Sequence, residues 1–201
     1  MERRSFRDDL DAAIAFHGHL CGGQIIGTRI ARFALDYFGA YDTEKKPDLL
    51  AFVEADRCLA DAISVVAGLT LGKRRLKWMD YGKMAATFYH IGTGEAIRLH
   101  TADIRPSDDV VDKVAFYEAI PDSELIIVEQ VEVHLRPEDL PGKPKSTVVC
   151  AICGERVHDG REVVREGKPI CRACLGEPVC RPVYYTRQEA GSPTKASKPA
   201  V

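Results

Sequence analysis

Two Cys-x-x-Cys pairs near the carboxyl end place the strongest constraint on how this chain can fold. Cys150 and Cys153 are separated by 17 residues from Cys171 and Cys174, a spacing typical of four-cysteine zinc sites. Tetrahedral zinc accepts four thiolates, and four thiolates leave no open position for a substrate water. The spacing therefore predicts a structural zinc ion at these cysteines. The alternative is a redox dithiol pair, or cysteines buried as small apolar side chains.

The segment between the two pairs is too small to fold by apolar burial alone. It reads as a short hairpin with turns at Asp159-Gly160 and Glu166-Gly167, and Gly154 supplies the positive φ that a knuckle needs. The metal must then supply much of the folding free energy. Cys180 and His158 are further ligand types nearby, interpreted as bystanders.

Proline spacing and composition divide the chain into a core, a linker, a zinc module and a tail. Three prolines and a glycine between residues 136 and 145 indicate a semi-stiff linker. We predict a core at 1–136, a linker at 137–147, a four-cysteine zinc finger at 148–185 and a flexible tail at 186–201.

Charge and hydropathy exclude several classes of protein. The chain has 28 Lys+Arg and 30 Asp+Glu, and no apolar run approaches the ~20 residues of a membrane span. The amino terminus lacks the apolar stretch of a secretory signal, so we expect a cytoplasmic protein with reduced thiols and no membrane partner. Basic residues in the tail lack interleaved aromatic side chains, which argues against nucleic acid as a partner.

The periodicity of the first 135 residues predicts an α+β domain with a mainly antiparallel sheet. The predicted order is ααβαββαβ, which is not a regular βαβ repeat. One helix is predicted to run to about Phe16, a second from just after Gly23 to Gly39 and a third from Cys58 to Gly68, while a fourth is predicted to start after Ser107 as its cap. Strands are predicted at 49–53, 84–90, 95–100 and 131–135.

The string His17-Gly-His19-Leu-Cys21-Gly-Gly is the most unusual part of this core. In an extended segment, His17, His19 and Cys21 project to one side and could surround one metal ion. In a helix, only His17 and Cys21 share a face. Cys21 directly precedes a predicted helix, whose free amide hydrogens would stabilise a thiolate. Gly22 and Gly23 would leave backbone N–H groups open to an anionic oxygen.

Further candidate side chains follow along the chain. Cys58 also stands between a strand and a helix, with Asp61 one turn later, so two thiols could meet in one pocket. Asp80 and Lys83 precede a strand and are candidates for proton transfer or substrate binding. The alternative is that the cysteines are buried small side chains and the histidines are merely hydrogen-bonded.

Several of these motifs occur together in one known family. Phe16-His-Gly-His-Leu-Cys-Gly-Gly, Cys58-Leu-Ala-Asp-Ala-Ile, Thr70-Leu-Gly-Lys and Asp80-Tyr-Gly-Lys-Met-Ala-Ala-Thr-Phe resemble the family of the formylmethanofuran dehydrogenase E-subunit over residues 5–135. The resemblance implies an α+β core, commonly dimeric, with a Cys/His pocket at His17, His19, Cys21 and Cys58. The cysteine-rich tail resembles the treble-clef zinc finger that some members append. Gly22 departs from the family, which usually has proline there.

Two functional hypotheses follow from the residues and the resemblance. The first is an enzyme or enzyme subunit in one-carbon redox metabolism, with a second transition metal or a reactive thiol in the core. The family name implies association with a molybdenum or tungsten enzyme that reduces carbon dioxide onto methanofuran in methanogenesis. The second is a non-catalytic assembly module that binds protein or nucleic acid through the zinc finger. We also expect a homodimer, in which the zinc module could be exchanged between the two copies.

Overall fold

The chain divides into two compact units, Met1–Lys143 and Pro144–Val201. The computed structural model describes residues 4–41 and 48–176, and the division falls inside the predicted linker. The predicted tail at 186–201 and the last residues of the predicted zinc finger lie outside the described residues. None of the described helices is long and apolar enough to cross a membrane.

Two helices open the larger unit and meet at the Cys/His string. Helix α1 spans Phe6–His17, and Ser5 caps it in a reciprocal pair of hydrogen bonds with Asp8. It ends at Gly18, whose φ of 96° lies in the left-handed region that glycine adopts without strain. Helix α2 spans Gly22–Tyr37 and starts directly after Cys21. The short connection from Gly18 to Cys21 therefore carries His19 between two helix ends.

A five-stranded mixed sheet forms the other half of this unit. Its strands, in chain order, are β1 (Leu49–Val53), β2 (Leu76–Trp78), β3 (Ala85–His90), β4 (Ala96–Thr101) and β5 (Ile126–Gln130). Their spatial order is β2-β1-β3-β4-β5. Only β1 and β2 run parallel, and the remaining neighbours are antiparallel, with Ala51 opposite Phe88. The predicted α+β class with a mainly antiparallel sheet is confirmed.

Three more α-helices lie in the described residues of this unit and close its core. They are α3 (Cys58–Val66), α4 (Lys113–Ala119) and the single turn α5 (Asp122–Leu125). One cluster of buried apolar side chains joins helices and sheet, with Ile25 and Leu59 from the helices and Phe88 from the sheet. The strongly apolar β1 is buried at four of its five positions, as expected for a strand covered on both faces.

Glycines on α2 allow it to approach α3 very closely. A β-carbon at Gly27 would lie 2.7 Å from Cβ of Ala62 and 2.9 Å from the carbonyl oxygen of Leu59. One at Gly23 would lie 2.8 Å from Cβ of Cys58. The contact is therefore almost backbone to backbone, and it brings the first turns of the two helices together.

Two local predictions for the larger unit are wrong, and one strand was not predicted. Ser107 does not cap a helix, because its side chain hydrogen-bonds Asp109 and α4 starts later, with Asp112 as its cap. The last strand lies at 126–130 instead of 131–135, because its partner β4 begins at Ala96 and offers no pairing beyond Val131. Strand β2 was missed, since three residues carry no recognisable period.

The described residues of the smaller unit, 144–176, form two short hairpins and a 3₁₀ turn. Strands β6 (Thr147–Val149) and β7 (Arg156–His158) pair with each other, as do β8 (Glu162–Arg165) and β9 (Lys168–Cys171). The 3₁₀ turn at Ala173–Leu175 follows. Glu166 and Gly167, which join β8 to β9, both have positive φ, as in a type I′ hairpin turn. The predicted turns at 159–160 and 166–167 are confirmed, as is the positive φ of Gly154.

The α2–α3 contact makes a stability prediction. Gly27→Ala should lower the free energy of unfolding by about 1–3 kcal/mol, because the added methyl group collides with the α3 backbone. Chemical denaturation followed by helical circular dichroism measures the change. Gly22→Ala on the same helix is the matched control, because a β-carbon there meets nothing within 4 Å. Equal stability of the two variants would show that the helices can separate freely.

Candidate metal centres

The four cysteines of the smaller unit converge as their spacing predicts. The sulfurs of Cys150, Cys153, Cys171 and Cys174 all lie within 4.8 Å of one another. The Cys171 amide donates to the Cys150 sulfur at 3.3 Å, and the Cys174 amide donates to the Cys171 sulfur at 3.4 Å. Backbone N–H groups aimed at sulfur stabilise the thiolate form that metals bind.

Electrostatics at these sulfurs show the crowding of like groups. The Cys171 amide and then the Cys153 amide lower the pKa of Cys150 to about 6. The neighbouring Cys171 thiol and burial raise the pKa of Cys174 to about 12. Four sulfurs this close can all be thiolates only with a cation among them, so the donor set fits a soft or borderline metal ion. His158 lies outside this group and bonds Thr147 Oγ1 through Nδ1 at 2.8 Å. Cys180 lies outside the described residues.

The second group assembles where α1 meets α2. His17 is the last residue of α1, and Cys21 is the residue that immediately precedes α2. The ligand atoms of His17, His19 and Cys21 lie within 4.8 Å of one another, and the two imidazole rings are 4.6 Å apart. Neither a strand nor one continuous helix produces this arrangement. The turn at Gly18 folds His19 back beside His17.

His17 is held in one orientation by a carboxylate from α3. Its Nδ1 lies 2.8 Å from Oδ2 of Asp61. Its Nε2 is buried and has no hydrogen-bond partner among the described residues. A carboxylate on one ring nitrogen is the usual support for a histidine that ligates metal through the other. The buried Nε2 therefore fits a metal ligand, together with His19 and Cys21.

Cys58 lies beside Cys21, outside this three-ligand group. Burial, followed by a side-chain hydrogen bond with Cys21, raises the pKa of Cys58. Its place at the start of α3 does not overcome those two effects. Gln24 holds the same turn in place, because its buried side-chain amide donates to the Cys58 carbonyl oxygen at 2.7 Å. The two thiols therefore meet as predicted, and Cys58 belongs to the surroundings of the cluster.

Two cavities lie close to this group, one lined by His17 and the other by Gly22, the neighbour of Cys21. One, the tryptophan cavity, has a volume of about 490 Å³ and is lined by His17, Cys58, Asp61 and Trp78, among others. The other, the basic cavity, has about 580 Å³ and is lined by Gly22, Gly23, Lys83 and three further basic side chains. Lys83 thus faces a cavity beside the helix start, whereas Asp80 lines neither of these two cavities.

Sequence reasoning did not assign roles to three residues that support these sites. Asp61 could have been found, because it lies three residues after Cys58 and so on the same side of α3. Gln24 carried no signal, since a polar residue near a helix start is ordinary. Arg98 points from the middle of β4 to Glu54, a pairing that depends on the tertiary fold.

Comparisons with known proteins agree with the family resemblance. A family model described as "FmdE, Molybdenum formylmethanofuran dehydrogenase operon" matches residues 16–131. A tungsten formylmethanofuran dehydrogenase FmdE-like protein from Syntrophus aciditrophicus, known from its crystal structure, aligns with a TM-score of 0.56 at 24% identity, over 90% of this chain and 100% of that one. At that identity the likeness shows the fold alone.

A second relative matches over a shorter stretch. A probable S-adenosyl-L-methionine-binding protein from Archaeoglobus fulgidus is 33% identical over 88 residues, which cover 42% of this chain. Those residues are 24% of that protein, so this chain spans about a quarter of its length. The S-adenosyl-L-methionine binding in that name therefore refers to that protein and is not assigned to this chain.

The small unit supplies a prediction about metal removal. A strong chelator should unfold it, because Cys150 and Asp159 are its only described residues that are more than nine-tenths buried. Amide hydrogen exchange at 147–171 should become fast, while the amides of β1 and β3 keep their protection and serve as the internal control. Retained protection at 147–171 after complete metal removal would contradict the expectation.

Proposed function

Because the chain belongs to the FmdE family, we propose that it is a metal-binding enzyme or enzyme subunit of one-carbon redox metabolism, with its reactive centre at the α1–α2 junction. The family match covers residues 16–131, which include all of His17, His19, Cys21 and Cys58. One observation carries the proposal: the His17 Nε2 atom is buried, unpartnered among the described residues and clustered with two further ligand atoms.

The two metal groups suit different tasks. Cys150, Cys153, Cys171 and Cys174 would fill the coordination shell of zinc, which is a structural arrangement. His17, His19 and Cys21 would supply only three ligands, as the protein does in catalytic zinc sites, where the fourth position is open. A metal ion with an open position polarises a substrate oxygen or activates a bound water. We therefore assign structural zinc to the smaller unit and a reactive transition metal to the larger unit.

The chain's own residues would prepare the core centre for this role. Asp61 accepts the Nδ1 hydrogen of His17 and so keeps Nε2 free as the ligand atom. Cys58 stays protonated longer than an ordinary thiol because its pKa is raised, so it can hold a proton beside the Cys21 sulfur. The tryptophan cavity reaches both His17 and Cys58 and gives a small molecule access to them.

Metal stoichiometry tests this assignment. Elemental analysis of the full chain should find two metal ions per polypeptide, and His19→Ala should lower the count to one because the core group loses a ligand. His134→Ala is the matched control, since His134 is exposed and lies outside both ligand groups. Asp61→Asn should weaken the affinity for the core ion about 10- to 100-fold. A count of one in the wild-type chain, with all of it lost in Cys171→Ser, would remove the core centre.

The one-carbon role is tested separately in cells. Replacing the chromosomal copy with His19→Ala should lower the exchange between labelled formate and carbon dioxide, while His134→Ala leaves it unchanged. Unaltered exchange in a strain whose protein has lost the core metal would reject the reaction class but keep the metal site.

A second candidate function rests on the surface of the smaller unit. Val149, Ile152 and Val164 are large apolar side chains that are 56%, 61% and 64% exposed. Such side chains favour contact with a protein, so we propose an assembly role as the alternative. The partner is a second copy of this chain or a component of a molybdenum or tungsten enzyme.

Affinity capture distinguishes the two candidates. Ile152→Asp with Val164→Asp should abolish recovery of the partner from native extract or shift the solution mass to that of a monomer, without changing the core metal content. Glu162→Gln on the same hairpin is the control. An assembly role is rejected when the double variant keeps both its partners and its mass.

A further inference from the structure

The basic cavity is a second place where this chain could bind a small molecule. It has a volume of about 580 Å³ and is enclosed by the start of α2, by β4 and by the loops before β3 and after β4. Among the described residues, its basic side chains are Lys83, Arg98, His100 and Arg105, and its only acidic lining residue is Asp103. The lining thus has three permanent positive charges against one negative charge.

Two neighbouring acids, Glu54 and Glu129, balance this excess of positive charge, but both are bound to Arg98. Arg98 donates to Glu54 at 2.6 and 3.0 Å and to Glu129 at 2.5 Å, so its guanidinium is fully engaged. Arg105 pairs with Asp103, but both side chains are 82% exposed, and such surface pairs contribute little free energy. The Arg98 hydrogen bond is the main cause that lowers the pKa of Glu129, and Lys83 and His100 add to it.

Lys83 is the cation of the cavity that no acid contacts directly. Its side chain makes no hydrogen bond or ion pair with the described residues, and it is exposed toward solvent. Its backbone is fixed, because the Lys83 amide donates to the carbonyl oxygen of Glu54 at 3.1 Å. An ammonium group on a fixed loop, with no acidic partner in hydrogen-bond contact among the described residues, is available to a ligand.

The start of α2 adds hydrogen-bond donors to the same cavity. Gly22 and Gly23 line it, and a β-carbon at Gly22 would meet nothing within 4 Å, so the backbone is approachable there. As the first two residues of a 16-residue helix, they carry amide hydrogens that no helical carbonyl can accept. An anionic oxygen placed between these amides and Lys83 would satisfy both.

Most of the remaining lining is apolar and determines the kind of anion. Ile26, Met84, Ile104 and the ring of Tyr117 face the cavity, and the Tyr117 hydroxyl is occupied by the Ile104 carbonyl oxygen. An inorganic ion would leave these side chains in contact with water. A molecule with an apolar body covers them while its anionic group meets Lys83.

We propose that the basic cavity binds a small organic anion, a carboxylate or phosphate ester with an apolar body, with its charged group between Lys83 and the Gly22 and Gly23 amides. The suggestion that this anion is a substrate of the adjacent Cys21 centre rests on the proposed function. The binding itself needs no metal.

Titration of the isotope-labelled full chain by NMR tests the proposal. Hexanoate, acetate and inorganic phosphate are added separately, and the amide signals of Gly22 and Gly23 are followed. Hexanoate should shift both signals saturably and bind more tightly than acetate, by about three- to fourfold for each added methylene that is buried. Saturation by phosphate with no response to hexanoate would overturn the organic-anion assignment, as would the absence of saturable shifts.

Matched variants link the binding to the named cation. Lys83→Met should weaken hexanoate binding about tenfold, the loss expected for one charge-assisted hydrogen bond. Lys113→Met is the control, since Lys113 is exposed and lies outside the cavity lining. Equal affinity of the Lys83→Met variant and the wild type would overturn the proposal. Metal content is measured on the same samples to distinguish the two proposals. If the chain binds hexanoate but contains no core metal, the proposed reactive centre is rejected and the proposed anion site is supported.

Discussion

The near-contact of the α2 and α3 backbones determines where the chemical groups of the larger unit lie. Because Gly23 and Gly27 carry no side chain, α3 packs directly against the α2 backbone, and Cys58 at the start of α3 lies against Gly23 at the start of α2. Cys58 and Asp61 belong to α3, whereas Cys21 precedes α2. Wider separation by a single methyl group would draw the Asp61 carboxylate away from His17 and separate the two thiols. The geometry of the site is therefore a consequence of helix packing.

The charged groups of the larger unit form two sets, one at the tryptophan cavity and one at the basic cavity. Facing the tryptophan cavity, Asp61 and His17 form a pair that leaves one imidazole nitrogen without a partner in the described chain. Arg98, which lines the basic cavity, is paired with buried Glu54 and offsets the cost of removing that carboxylate from water. Glu54 also fixes the loop before β3 through its carbonyl oxygen. Glu54 thus holds the Arg98 guanidinium through its carboxylate and the loop that carries Lys83 through its backbone.

Features that depend on local sequence patterns could be predicted from the sequence, whereas features that depend on contacts between distant segments could not. The knuckle spacing predicted the four-sulfur cluster, and the string around His17 predicted its cluster, because ligand types at short spacing leave few geometries open. The boundary of β5 could not be found, since pairing with β4 decides which part of an apolar stretch becomes a strand. Burial and the neighbouring Cys21 sulfur raise the pKa of Cys58 although this residue starts a helix, and the sequence alone shows neither cause. The spacing of Asp61 after Cys58 marked it as a candidate, but its contact with His17 depends on the packing of α1 against α3.

The left-handed turn at Gly18 has a consequence for how such a protein can change over evolutionary time. Three residues, Gly18, His19 and Leu20, connect the last residue of α1 to Cys21, so the separation of the ligands depends on loop length. Adding or deleting one residue there would rotate His19 away from His17, whereas exchanging the exposed Leu20 would not. Descendants that keep the centre should therefore vary freely in the chemistry of position 20 and hardly at all in the number of residues between the two helices.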